Sequence, residues 1–180
     1  MRVMKFGGTS VGTADRILDV VRLVREATAS ERVLVVVSAF GGVTNELIDA
    51  ARKAASGSPE GRTLLERIAR RHADAVSGLA SEAERPELLR ELEEATTELS
   101  GQLQGVSLVR ECTPRTLDGI VSFGERLSAK VVAAAFRAQG QAASSCDARP
   151  LVTTDKTFGA ARVDLEASYE RIRQWWKTET

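Results

Sequence analysis

The sequence contains few of the residues from which metal and disulfide sites are built. Among its 180 residues are two cysteines, Cys112 and Cys146, and one histidine, His72. The cysteines show neither the spacing of metal ligands nor a disulfide-rich pattern, so we expect two reduced thiols. A zinc site made of histidines is excluded by the single histidine, and we predict no metal site in this chain.

An excess of charge of one sign is also absent, as are long hydrophobic runs. Lysine plus arginine number 25, as do aspartate plus glutamate. Because proteins that bind nucleic acid usually present a net basic face, nucleic acid is disfavoured as a partner. No apolar run approaches the length of a membrane span, and the first residues lack the apolar segment of a signal peptide. We therefore expect a cytoplasmic protein without a membrane partner.

Alternating strand and helix patterns predict an α/β fold. Residues 3–6 form a short, partly apolar run that ends in two glycines, and residues 33–37 are five consecutive aliphatics, which predicts a strand buried on both faces of a parallel sheet. Between them, apolar residues recur at helical spacing: Ile17, Val20, Val21 and Val24. Such alternation is typical of a three-layer α/β sandwich with a mainly parallel sheet.

Two long amphipathic patterns interrupt this alternation at about residues 59–105. They predict an antiparallel helical hairpin that protrudes from the α/β core, with its glutamates and arginines on solvated faces. Beyond it, one helix is predicted from Pro114 to Arg137, a weak strand at residues 142–146, and a last helix from Asp164. Trp175 and Trp176 on that last helix favour packing on the core or an interface over base stacking.

The first polar loop follows the first predicted strand and contains Lys5, Gly7, Gly8, Thr9 and Ser10. Ligands bind at the carboxyl ends of the strands in parallel sheets. The glycines allow close backbone approach, and the lysine and hydroxyls add donors, so the loop has the composition of an anion cradle. It is not a Walker loop, in which the lysine follows the glycines. The alternative is a tight strand–helix turn with an incidental lysine.

Two further segments carry candidate site residues. Ser38 directly follows the aliphatic strand, which is a functional position in such sheets. Thr44 stands at a helix start, where local evidence favours a simple N-cap. Glu125 lies in an otherwise apolar helical stretch, where a carboxylate needs a cationic partner; the alternative is an exposed glutamate paired with a neighbouring arginine.

Together these segments resemble the aspartate kinase family, within the wider amino acid kinase fold. Residues 5–11, Lys-Phe-Gly-Gly-Thr-Ser-Val, are similar to the opening motif of that family. Residues 38–45 are similar to its loop that ends in Thr-Asn, and residues 122–129 are similar to its Ser-Phe-Gly-Glu-Arg-Leu-Ser-Ala segment. Shorter matches lie further on: Asp147-Ala148-Arg149, Thr154-Asp155 and Phe158-Gly159-Ala160.

The resemblance implies transfer of the γ-phosphoryl group of MgATP to the side-chain carboxylate of L-aspartate, an early step towards lysine, threonine and methionine. It implies that Lys5 neutralises charge on the phosphoryl group and that Glu125 receives the substrate ammonium. It further implies that the full-length enzyme is a homo-oligomer. The remaining implied positions are Gly7, Gly8, Thr9 and Ser10 facing the phosphates, and Ser38 and Thr44 near the transferred group and the substrate.

The 180 residues also depart from the family pattern. They contain neither the Gly-Arg-Gly-Gly-Ser-Asp nor the Thr-Asp-Val-Asp-Gly-type segment of the family's nucleotide-binding half, nor its regulatory ACT domains. We therefore expect residues 1–180 to form an N-terminal amino-acid-binding lobe that has no turnover alone, with ATP and Mg²⁺ bound largely elsewhere. A non-catalytic binding or regulatory module of the same fold, or another class of α/β nucleotide-binding protein, are the alternatives.

Overall fold

The computed structural model describes residues 1–179, which form a mixed α/β chain dominated by helices. It divides into two compact units, Met1–Ser145 and the residues from Cys146 onward. The elements of the first unit are β1 (Arg2–Phe6), α1 (Ala14–Thr28), β2 (Val33–Val37), α2 (Val43–Ala55), α3 (Glu60–Leu79), α4 (Arg85–Val109), α5 (Pro114–Val121) and α6 (Phe123–Ala138). The second unit contains β3 (Thr153–Thr154), β4 (Val163–Asp164) and α7 (Leu165–Thr178).

The predicted parallel pairing is confirmed. Strands β1 and β2 run side by side, with Arg2 opposite Val33 and Phe6 opposite Val37. Helix α1 connects them, and its buried face is the predicted one, formed by Ile17, Val20, Val21 and Val24, with Ala27 in addition. Because parallel strands end at the same edge, the loops that follow β1 and β2 are neighbours.

The prediction that β2 is buried on both faces is wrong. Met4, Val35 and neighbours on one face pack against the core, but Val3 and Val36, on the other face, are 57% and 44% exposed. Alternate strand residues point to opposite faces, and among the described residues the helices cover only one of these faces. Five consecutive aliphatics therefore do not by themselves prove two-sided burial.

The predicted helical hairpin is present as α3 and α4, but it is an integral part of the core. Ile68 and Leu99 are fully buried, and the hairpin packs against α2 and α6. The close contact with α2 depends on Gly61, where a β-carbon would lie 2.8 Å from the carbonyl oxygen of Ala50. The hairpin therefore supports the elements that carry the candidate loops.

The single helix predicted from Pro114 to Arg137 is two helices, α5 and α6. Thr113 caps α5 by accepting a hydrogen bond from the Thr116 amide, and the Ser122 hydroxyl donates to the Gly119 carbonyl at 2.7 Å where α5 ends. Serine competes in this way with backbone hydrogen bonding. The break lets Phe123 begin a new helix whose residues 131–136 are all buried.

The strand predicted at residues 142–146 is not observed, and these residues have no regular structure. None of the described strands pairs with them, and the Ala143 carbonyl accepts a hydrogen bond from the Arg137 side chain at 2.9 Å. In the second unit, β3 and β4 pair antiparallel. Helix α7 begins as predicted, with Asp164 accepting a hydrogen bond from the Ala167 amide. No helix in the described chain is long and apolar enough to cross a bilayer.

Candidate functional site

Two loops pack backbone to backbone at the carboxyl edge of the parallel pair: the first loop (residues 7–12) and the second loop (residues 38–42). Ser38 N–H donates to the Phe6 carbonyl at 3.0 Å, which starts the second loop beside the first. A β-carbon on Gly8 would lie 2.9 Å from the Ala39 carbonyl oxygen, and one on Gly41 would lie 3.2 Å from the Gly8 carbonyl oxygen. A side chain at Gly8 would require a backbone shift and one at Gly41 would be tightly packed, so the two loops form one packed layer.

The third segment, at the start of α6, reaches the same layer. A β-carbon on Gly124 would lie 2.7 Å from the β-carbon of Ala39, so the helix start sits directly on the second loop. The next residue, Glu125, accepts a hydrogen bond from the Ala39 amide to its Oε1 at 3.3 Å. The structure therefore brings together the three segments in which the sequence placed candidate residues.

The setting of Glu125 differs from the predicted one. Its side chain is exposed, whereas Leu127 and Ser128 in the next turn are buried. The helical period turns residue 125 away from the apolar face, since neighbours in sequence lie on different sides of a helix. Among the described residues Glu125 also has no arginine partner; its carboxylate accepts a hydrogen bond from the second loop instead. A carboxylate in the first turn of a helix interacts favourably with the positive end of the helix dipole.

Lys5 is the last residue but one of β1, and its exposed side chain folds back over the first loop. Its Nζ lies 3.6 Å from the point that a β-carbon on Gly7 would occupy. The loop turns sharply, because the Ser10 amide donates to the Gly7 carbonyl at 2.9 Å. That amide is therefore committed to the turn. The Lys5 ammonium and the Thr9 and Ser10 hydroxyls are the donors that this loop offers to an anion.

Five polar side chains at this edge have no hydrogen-bond or ion-pair partner within the described residues: Lys5, Thr9, Ser10, Ser38 and Thr44. The N-cap interpretation of Thr44 is wrong. The N-cap of α2 is Gly42, which has φ of 87° and makes no side-chain capping bond. Ligands bind at the carboxyl ends of the strands in parallel sheets, and at this edge the five side chains are available to a polar ligand.

Behind the loops, α3 supplies contacts that the sequence did not reveal. Arg71 donates to the Gly41 carbonyl at 2.7 Å and to the Gly12 carbonyl at 2.8 Å. The Phe40 ring stacks on the His72 ring, with centroids 4.5 Å apart and planes inclined by 8°. The sequence predicts solvated faces for the charged residues of this hairpin. Arg71 is an exception, and its partners are too distant in sequence for helical spacing to find.

His72 is fully buried and neutral. Its Nδ1 donates to the Ile68 carbonyl at 2.8 Å, and its Nε2 has no partner among the described atoms. Burial lowers the pKa of His72 from 6.5 to about 4, because a charged imidazolium would be desolvated there. The ring therefore acts as a flat, uncharged support for Phe40.

In the second unit, the residues that matched the family pattern have partners of their own. Arg149 forms a two-pronged pair with Asp147, with distances between 2.6 and 3.0 Å. Asp155 accepts hydrogen bonds from the Thr157 and Arg162 amides at 2.9 and 3.2 Å. These bonds hold the pKa of Asp155 below its ordinary value. Asp155 thus orders the loop between β3 and β4.

Comparison with known proteins finds aspartokinases that resemble this chain. Among curated proteins, the chain is 35% identical over 175 residues to the chloroplastic aspartokinase 2 of Arabidopsis thaliana, covering 94% of this chain and 30% of that protein. It is 31% identical over 175 residues to the chloroplastic bifunctional aspartokinase/homoserine dehydrogenase 1 of the same plant, covering 97% and 19%. The chain thus spans less than a third of the length of either relative.

Solved structures show the same likeness. Aspartokinase III of E. coli in complex with lysine and aspartate matches with a TM-score of 0.88 and 27% identity, over 99% of this chain and 38% of that one. The same enzyme with aspartate and ADP matches with a TM-score of 0.87 and 27% identity, over 98% of this chain and 37% of that one. The sequence model of the amino acid kinase family matches residues 1–179. The chain belongs to the amino acid kinase family.

Proposed function

We propose that this chain forms the aspartate-binding side of an aspartate kinase, which transfers the γ-phosphoryl group of ATP to the side-chain carboxylate of L-aspartate. The observation that carries the proposal is the cluster of unpaired donors at the carboxyl edge of the sheet, with the carboxylate of Glu125 held beside it. The proposal concerns an enzyme of which these 180 residues would form one part.

The chemistry of the reaction matches these groups. Phosphoryl transfer depends mainly on positioning and on neutralising charge. A carboxylate nucleophile is already ionised at neutral pH, so no strong general base is required. The enzyme must bring two anions together, and the Lys5 ammonium with the Thr9 and Ser10 hydroxyls offers donors for that purpose. In this proposal Gly7 and Gly8 let the phosphate approach the backbone.

The substrate amino acid would bind between the second loop and α6. Glu125 is a suitable receptor for its ammonium group, because Oε1 is fixed by the Ala39 amide while the exposed carboxylate can accept further hydrogen bonds. The Ser38 and Thr44 hydroxyls are then donors for the substrate carboxylate or the transferred group. The E. coli aspartokinase III structures that resemble this chain hold aspartate, with ADP in one and lysine in the other.

Magnesium would arrive as part of the substrate MgATP. Within residues 1–179, no three histidine, cysteine, aspartate or glutamate side chains are grouped so as to hold a metal ion. We therefore assign no residue of this chain to the ion. The homo-oligomeric state and the cytoplasmic location expected from the sequence stay predictions for the full-length protein.

The test is a kinase assay on the full-length gene product with ATP and a panel of acids: L-aspartate, N-acetyl-L-glutamate and carbamate. Hydroxylamine traps the acyl phosphate as a hydroxamate, and ADP release is followed separately. We expect hydroxamate only with L-aspartate, and none from the 180-residue chain alone. Turnover of another acid, or binding of aspartate without any turnover by the full-length protein, would contradict the proposal; the second result would favour a non-catalytic module.

A further inference from the structure

One guanidinium group on the helical hairpin binds both loops of the candidate site. Arg71, in α3, donates through one terminal nitrogen to the Gly41 carbonyl at 2.7 Å and through the other to the Gly12 carbonyl at 2.8 Å. The two acceptors are 30 and 59 residues away in sequence. Arg71 therefore links the first and second loops through a third element that belongs to neither.

The carbonyls that Arg71 binds belong to residues that enclose Gly8. A β-carbon on Gly12 would lie 3.1 Å from the Gly8 carbonyl oxygen, and one on Gly41 would lie 3.2 Å from the same atom. Gly8 is thus held between the two residues that Arg71 ties together. A shift of either carbonyl would move Gly8 and the hydroxyl-bearing residues that follow it.

The surroundings favour a fixed position for this side chain. Arg71 is half-buried, and its guanidinium lies 5.7 Å from the centroid of the Phe40 ring. Phe40 in turn rests on the buried ring of His72. Arg71 has no carboxylate partner within the described residues. The planar fork of arginine can bind two acceptors at once in a fixed geometry, which an ammonium group does not reproduce.

We infer that Arg71 is a positioning residue of the kinase site, which holds the first and second loops in one register so that Lys5 and Thr44 act on the same bound substrate. This inference rests on the proposed function for its catalytic consequence. The structural part, a tie between two loops, stands on the contacts alone. Arg71 itself is not placed against the substrate.

The kinetic test compares Arg71→Lys and Arg71→Gln with the matched changes Arg70→Lys and Arg70→Gln in the full-length protein. Arg70 is the exposed neighbour on the same helix. We expect both Arg71 variants to raise the KM for aspartate and to lower kcat per folded enzyme by roughly ten- to a hundred-fold, because small displacements of positioned groups have effects of this size. The Arg70 variants should behave like wild type.

A merely structural role predicts a different result. Loss of folded protein lowers the apparent kcat in proportion to the active fraction and leaves the KM unchanged. Circular dichroism and active-site titration measure that fraction. An unchanged KM in both Arg71 variants, or full rescue by the lysine variant, would overturn the inference, since lysine keeps the charge but not the fork.

Hydrogen–deuterium exchange tests the tie without any assay of activity. In Arg71→Lys and Arg71→Gln, amides of both loops, residues 7–12 and 38–42, should exchange faster together, while the Arg70 variants leave them unchanged. If exchange rises in neither loop, or in only one of them, the inference is wrong. If wild type does not phosphorylate aspartate, the proposed function fails, and the exchange experiment still decides whether Arg71 ties the loops.

Discussion

Replacing Gly124 with alanine tests whether the start of α6 must sit directly on the second loop. The added β-carbon would lie 2.7 Å from the Ala39 β-carbon and 3.4 Å from Cδ1 of Leu47. The first distance is far inside van der Waals contact, and Ala39 is nearly fully buried. The new methyl group therefore has to push α6 and the second loop apart.

The magnitude follows from a comparison with Gly101, an exposed glycine inside α4 with no atom within 4 Å of its potential β-carbon. In both helices alanine is favoured over glycine by about 0.5–1 kcal/mol. Overpacking a core contact destabilises by roughly 1–3 kcal/mol. We expect Gly101→Ala to raise the free energy of unfolding. Gly124→Ala should be about 1–3 kcal/mol less stable than Gly101→Ala, because both variants gain helix propensity but only Gly124→Ala is overpacked.

Thermal unfolding followed by circular dichroism measures the difference, which should be about 2–12 °C in Tm for a domain of this size. The double variant Gly124→Ala with Ala39→Gly moves the methyl group across the interface. It should recover part of the loss, giving a favourable coupling free energy between the two positions. Equal Tm values for the Gly124 and Gly101 variants, or no coupling with Ala39, would refute the reasoning.

Two further predictions concern charged and titratable groups. In the full-length enzyme, Glu125→Gln should raise the KM for aspartate about ten- to a hundred-fold, because a charge-assisted contact of about 1.5–3 kcal/mol is lost. The KM for ATP should change little. An unchanged KM for aspartate would contradict the assignment. Burial lowers the pKa of His72 from 6.5 to about 4. Between these two pH values, His72 is protonated in the unfolded chain but not in the folded chain. The free energy of unfolding should therefore fall by on the order of 3 kcal/mol as the pH drops through this window. His72→Phe keeps a ring against Phe40 but cannot titrate, so denaturant titrations of this variant should lack this part of the pH dependence. The same pH profile in the variant and the wild type would contradict the prediction.

The sequence predicted the elements whose signals are local. Residues 33–37 are a strand, and the apolar spacing from Ile17 to Val24 marks the buried face of α1. The sequence placed candidate residues in the Lys5 loop, the Ser38 loop and the segment around Glu125, and the structure brings these segments together. Parallel pairing made this possible, since both strands end at one edge.

Features that depend on tertiary contacts were missed or misjudged. The burial of β2 depends on what covers each face of the sheet, which five aliphatic residues do not encode. Thr44 looked like a cap because threonine often caps, but Gly42 with positive φ takes that position. The helical pattern predicts a solvated Arg71, because the two carbonyls that it binds lie 30 and 59 residues away in sequence. A helix pattern does not distinguish a solvated arginine from one that binds a distant loop.

The most direct measurement of the central claim is the kcat of Lys5→Met in the full-length protein, with L-aspartate and MgATP both saturating. The claim is that the Lys5 ammonium, folded over Gly7 at the carboxyl end of β1, neutralises the transferred phosphoryl group. Lys5 is exposed, so its replacement should leave Tm unchanged. We predict a fall in kcat of about a hundred- to a thousand-fold, as when one electrostatic group is removed from a transition-state site. A folded Lys5→Met protein that turns over aspartate at the wild-type rate would contradict the account.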